Sequence, residues 1–147
     1  QFFSWSVDGG ESWGDPVLSP LRGGCSPCAL RRLPDSDAVL AIWTPGLHQR
    51  SPLATAVSGD GGRTWDNVKL LERSLYHGYC YASCTFVGER ALLSYMHYPL
   101  VDELRRFRSE PHYHELRLVA LPTAWFTRAG RRIASLATEP IRRGCSP

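Results

Sequence analysis

The chain has 147 residues, 43% of them hydrophobic, and a formal net charge of +3, enough for one ordinary domain with a core of its own. The basic clusters Arg105, Arg106, Arg108 and Arg131, Arg132, Arg142, Arg143 form no stripe interleaved with aromatics; they read as solvated loop and tail charge, and no nucleic-acid partner is expected. No run of about 18 apolar residues occurs, which excludes an α-helical membrane span.

In chain order, Phe2 to Ser6 reads as a strand, Asp8-Gly9-Gly10 as its turn and Trp13 to Leu18 as an outer strand. Pro16 is tolerable there because an edge strand can lose a donor. After the linker Ser19 to Gly24, Cys28 to Leu33 is an expected inner strand and Ala38 to Thr44 a second, apolar enough for burial on both faces. A loop opening at Pro45-Gly46 runs to Arg50. Leu53 to Ser58 is the third strand and Val68 to Leu71 the fourth. Tyr79 to Val87, Arg90 to His97 and Glu115 to Leu121 follow as three more strands, with a polar connection at Pro99 to His112; Trp125-Phe126 is expected to start a fourth. From about residue 127 the text loses periodicity, and 127–147 is expected to be a loose basic tail beyond a domain at 1–126.

Five cysteines are present, Cys25, Cys28, Cys80, Cys84 and Cys145. Their odd number and irregular spacing argue against a disulfide scaffold. Cys25-x-x-Cys28 with Cys80-x3-Cys84 has the makings of a zinc site, but both pairs fall on expected inner strands, where cysteine is ordinary apolar filler. No metal and no cofactor are expected. Cys80 and Cys84 would stand about 13 Å apart along one strand, too far to bridge.

Two octets stand out. Ser6-Val7-Asp8-Gly9-Gly10-Glu11-Ser12-Trp13 and Ser58-Gly59-Asp60-Gly61-Gly62-Arg63-Thr64-Trp65 share the pattern Ser-x-Asp-x-Gly-x-Ser/Thr-Trp and start 52 residues apart. That period belongs to arrays of small supersecondary units such as four-stranded propeller blades. Asp followed by Gly-Gly is a tight-hairpin signal, since glycine accepts positive φ freely. The Ser and Asp side chains can cap turn N–H groups, and the Trp buries a large ring. The octet is a hairpin lock rather than a site of chemistry.

These octets resemble the Asp-box of the sialidase superfamily, with Ser6, Asp8, Gly10, Trp13 and Ser58, Asp60, Gly62, Trp65 at the motif positions. The resemblance covers about residues 1–126. It implies an all-β fold, a partial six-bladed β-propeller with about three four-stranded antiparallel blades. The chain opens within a strand, and we expect it to be the C-terminal half of such a propeller.

The resemblance also implies chemistry. Sialidases use a tyrosine nucleophile instead of the usual carboxylate pair. Their substrate carries a carboxylate on the anomeric carbon, and an incoming carboxylate would be repelled by several kcal/mol at an effective dielectric near ~20. Tyrosine approaches neutral, while arginine forks hold the substrate carboxylate. Cys80-Tyr81-Ala82-Ser83-Cys84 is similar to the family's nucleophile phrase, and Leu92-Leu93-Ser94-Tyr95 to the phrase on its next strand. Tyr81 is therefore the expected nucleophile. Arg50, just before the strand that runs into the second octet, is the expected carboxylate-binding arginine. Two features depart from the pattern. The phrase around Gly24-Cys25-Ser26-Pro27 has Ser26 where the base Glu is expected, and Thr44 stands where a second arginine is expected. The third arginine and the acid/base Asp would belong to a first blade that the chain does not contain. His77 would lie about 13 Å from Tyr81 along the strand, beyond hydrogen-bond reach. Glu72 and Glu89 have no evident place, and Arg31 or Arg32 would stand in for an arginine only from mid-strand. The reading is an exo-sialidase-like hydrolase acting on a terminal acidic sugar or glycoconjugate. Its alternative is a non-catalytic Asp-box propeller that binds carbohydrate or protein.

Overall fold

The structure is a computed structural model that describes residues 1–24, 26–47, 49–74, 76–100 and 114–129. The described residues are all-β apart from one helical turn. Strands β1 (Phe2–Phe3) and β2 (Val17–Leu18) form a two-stranded sheet. β3 (Ala29–Arg32), β4 (Val39–Trp43), β5 (Leu53–Ser58) and β6 (Asp66–Glu72) form a four-stranded sheet in sequential order. β7 (His77–Val87), β8 (Arg90–Pro99) and β9 (Glu115–Pro122) form a third, also sequential. All pairings are antiparallel.

The four-stranded sheet is buried on both faces, and strand alternation explains how. In β5 all six residues are buried. Leu53 and Val57 point into a core shared with the third sheet, joined by Leu40, Ile42, Tyr79, Cys84, Leu93, Tyr95 and Phe126. Ala54 and Ala56 point the other way, with Ala41, Trp43, Leu21, Trp65 and Val68, into a core reached by Phe3 of the first sheet. Side chains two apart share a face, so the apolar runs of β4 and β5 serve two cores at once. Burial of each large aliphatic chain stabilises by about 1.5–3 kcal/mol.

Two expected strands shrink. The strand expected over Phe2 to Ser6 pairs only at Phe2–Phe3, and the one expected over Trp13 to Leu18 only at Val17–Leu18. Pro16 cannot donate to a ladder, and beyond β1 the two segments are joined by the Gly14 N–H donating to the Trp5 carbonyl at 3.0 Å and the Ser4 hydroxyl donating to the Gly14 carbonyl at 2.5 Å. The strand expected to begin at Trp125-Phe126 is instead a helical turn, α1 (Ala124–Thr127). Pro122 ends β9, the Thr123 N–H donates to the Glu89 carbonyl at 2.8 Å, and the turn swings Phe126 into the core, where it is 1% exposed. Of the expected tail, Thr127 closes this helix; the residues from 130 onward lie outside those described, as does most of the Pro99 to His112 connection.

Candidate functional site

Each octet forms the hairpin its residues require. Ser58 Oγ donates to Asp60 Oδ1 at 2.7 Å and accepts the Gly62 N–H at 2.8 Å, while Asp60 accepts the Thr64 N–H at 2.9 Å and its hydroxyl at 2.6 Å. In the first copy Ser6 donates to Asp8 at 2.7 Å, and Asp8 accepts the Ser12 N–H at 3.0 Å and its hydroxyl at 2.5 Å. The ring N–H of Trp65 donates to Gly62 and that of Trp13 to Gly10. Gly9, Gly10, Gly61 and Gly62 carry the positive φ angles. The hydroxyls of Thr64 and Ser12, followed by their backbone N–H groups, hold the Asp60 and Asp8 carboxyls well below the usual carboxylate range.

The other end of the strands is different. β7 and β8 lose register between Cys80 and Ser83. Within this bulge Tyr81 takes φ +54°, a left-handed conformation that costs a bulky residue about 1–3 kcal/mol. The bulge turns the phenol outward, so that Tyr81 is 58% exposed while its neighbours Cys80 and Cys84 are buried. The guanidinium carbon of Arg50 lies 5.4 Å from the Tyr81 ring centroid, within cation–π range. The Tyr81 side chain, then the Cys80 thiol, hold the Arg50 pKa above its ordinary value.

Backbone contacts bring Arg50 there. Its carbonyl accepts the Tyr79 N–H at 2.7 Å, and the Gly46 carbonyl accepts the Gly24 N–H at 2.7 Å. Ser51 Oγ donates to the Ser74 carbonyl at 2.6 Å. Gly46 is close-packed: a Cβ there would sit 2.2 Å from the Ser51 carbonyl oxygen. Gly78 has the same constraint from above, since an added Cβ would fall 2.4 Å from Cζ of Tyr98. The Tyr98 ring therefore lies against Gly78 of β7, three residues before Tyr81, a contact whose only sequence sign is a glycine within a strand.

The other candidates have environments of their own. Ser26 and Thr44 are both buried, with Thr44 Oγ1 unpartnered. Arg31 donates from Nε to the Cys84 carbonyl at 3.0 Å, tying β3 to β7, and Arg32 pairs with Asp37 at 3.0 Å in an exposed bridge. Glu72 has a definite place, accepting the Tyr95 hydroxyl at 2.5 Å and Arg117 Nη1 at 3.0 Å. Burial first, then the hydrogen bond to Glu72, push the Tyr95 hydroxyl well above the usual phenol range, so it stays protonated as a donor at ordinary pH. The main-chain carbonyl of Glu89 accepts from Thr123. His77 faces Ser74 and His97 instead of Tyr81. Cys28, Cys80 and Cys84 are free thiols, and burial raises Cys28 to about 11. Among the described residues no three His, Cys, Asp or Glu side chains gather as a metal site, and no helix is long and apolar enough to cross a membrane. A groove of about 330 Å³ lined by Phe3, Trp5, Leu30, Val39 and Trp65 lies at the second hairpin. Its lining has no titratable group.

The family model for the BNR repeat-like domain matches residues 1–97. No curated protein and no solved structure matches the chain. With two such hairpins one repeat apart inside the matched span, the chain belongs to the BNR repeat-like family.

Proposed function

We propose that this chain is part of a sialidase-like glycoside hydrolase that removes terminal acidic sugars, with Tyr81 as nucleophile and Arg50 as a carboxylate-binding group. The three sheets would supply half of a six-bladed propeller. The observation that carries the reading is Tyr81 itself. A bulky residue held at φ +54° in a bulge, its ring exposed beside a guanidinium, is strained and solvent-facing. Such strain persists where the surroundings enforce it, and it gathers at functional sites. The bulge re-aims the side chain; the phenol oxygen would bond to the anomeric carbon as the glycosidic C–O bond breaks, the aglycone leaving as an alcohol that takes up the phenol proton, and water would then release the sugar and restore the phenol, while Arg50 grips the substrate's carboxylate.

One observation favours the second reading, a non-catalytic propeller that binds carbohydrate or protein. Ser26 and Thr44 occupy the places expected for a base and a second arginine, and Glu72 is already engaged by Tyr95 and Arg117. The test is turnover of a fluorogenic sialoside by the full-length protein. The hydrolase reading expects turnover that Tyr81→Phe removes and that Arg50→Ala weakens mainly through KM. Sialoside binding without turnover would establish the second reading.

A further inference from the structure

Linked to the Arg50 loop is a set of groups that the proposed chemistry does not use. The imidazoles of His77 on β7 and His97 on β8 stack with centroids 4.4 Å apart and planes within 25°. His97 is 4% exposed. Its Nδ1 lies 3.3 Å from Glu115 Oε2, an ion-pair distance without hydrogen-bond alignment, so the buried nitrogen has no hydrogen-bond partner. A buried polar atom left in this way is costly. His77 Nδ1 shares a 2.8 Å hydrogen bond with Ser74 Oγ. The Ser74 carbonyl in turn accepts the Ser51 hydroxyl, next in the chain to Arg50. A continuous path thus runs from the buried imidazole to the guanidinium over Tyr81.

We propose that His77 and His97 form a proton-sensitive latch that positions Arg50: with His97 neutral the stack holds Ser74 and Ser51 in place, and a proton on His97 parts the stack and frees Arg50 from Tyr81. The groups that face the pair decide the sign. Burial first, then Arg117 of β9 and His77 of β7, lower the His97 pKa, while Glu115 of β9 opposes them. Tyr79 lies 5.6 Å from His97, and Tyr95 and Glu72 of β8 and β6 stand one layer further on. A histidine whose folded pKa is depressed favours its neutral form at neutral pH. The latch is therefore closed near pH 7 and opens below about 6.5, the ordinary histidine value.

The inference rests on the reading of Arg50 as the carboxylate-binding group only for its consequence; its test needs no substrate, so the two can fail separately. NMR of the protein from pH 7.5 to 5 would follow the His97 imidazole and the Arg50 Nε–H, which feels the Tyr81 ring current. The expected result is one shared midpoint, below about 6.5. An Arg50 signal that stays still while His97 titrates would overturn the latch. In His97→Gln the Arg50 transition should disappear, and its persistence with the same midpoint would also refute the proposal. Should that variant fail to fold, His77→Gln decides: the Arg50 signal should sit at its low-pH position already at pH 7.5, and a wild-type signal there would contradict the path through Ser74.

Discussion

The hairpin end and the Tyr81 end of these sheets both use left-handed backbone, but with different residues. At the hairpins it falls on Gly9, Gly10, Gly61 and Gly62, where it has little steric cost. At the bulge it falls on a tyrosine. Glycine at a turn accepts this backbone at little cost, whereas at the bulge the same backbone strains an exposed tyrosine. The two hairpins differ as well. Their hydrogen bonds match almost bond for bond, yet Trp65 is 4% exposed and Trp13 65%. Phe3 packs on Trp65 with centroids 6.1 Å apart, Trp5 donates to the Gly61 carbonyl at 2.7 Å, and Arg63 covers the Trp5 ring at 5.7 Å. The lock is local; the burial comes from the neighbouring sheet.

The largest way to sharpen this comparison is to remove the two tryptophans. Trp65→Ala should cost about 3–5 kcal/mol, and Trp13→Ala about 0.5 kcal/mol, measured by urea unfolding. Comparable losses would show that the first hairpin is packed in solution as the second is. Next, Gly62→Ala should cost about 1–2 kcal/mol from φ alone, since an added Cβ meets only ordinary contacts with Trp65 at 3.6 Å and Phe3 at 3.8 Å. At the other end the sign reverses. Tyr81→Gly relieves a strained φ and loses little burial, so its stability should match the wild type or exceed it by about 1 kcal/mol or less. A clear loss of stability would mean that Tyr81 is structural. The smallest effect is in acid. The Asp8 and Asp60 carboxyls are depressed below their unfolded value, so their contribution is present above about pH 4 and lost as pH falls below it. A pH series of melting temperatures would show that decline weakened in Asp60→Asn, and an unchanged decline would assign it to other carboxylates.

What could be read from the sequence was local or repeated. Leu53–Ser58 has the bounds that its alternation and the following octet imply, and the octets form the hairpins that their Ser, Asp and Gly residues dictate. Arg50 and Tyr81 were each named from the resemblance to sialidases; that they lie 5.4 Å apart is known only from the structure. The rest depends on contacts distant in the chain. The bulge at Tyr81 needs the partner strand β8 to define it, and Glu72 has a role only once β8 and β9 bring Tyr95 and Arg117 to it. His77 looked like a remote neighbour of Tyr81 on one strand; its actual partner, His97, comes from across the ladder. Trp125-Phe126 has the aromatic content of a strand, but Pro122 ends the pairing and the core takes Phe126 from a helical turn.

The account stands or falls on the Tyr81 oxygen. Sialoside turnover by the full-length protein should be measured beside Tyr81→Phe, with melting temperatures for both. We predict that the variant keeps its melting temperature and loses turnover by about three orders of magnitude or more, as expected for a removed nucleophile. Turnover that survives the loss of that single oxygen would contradict the account.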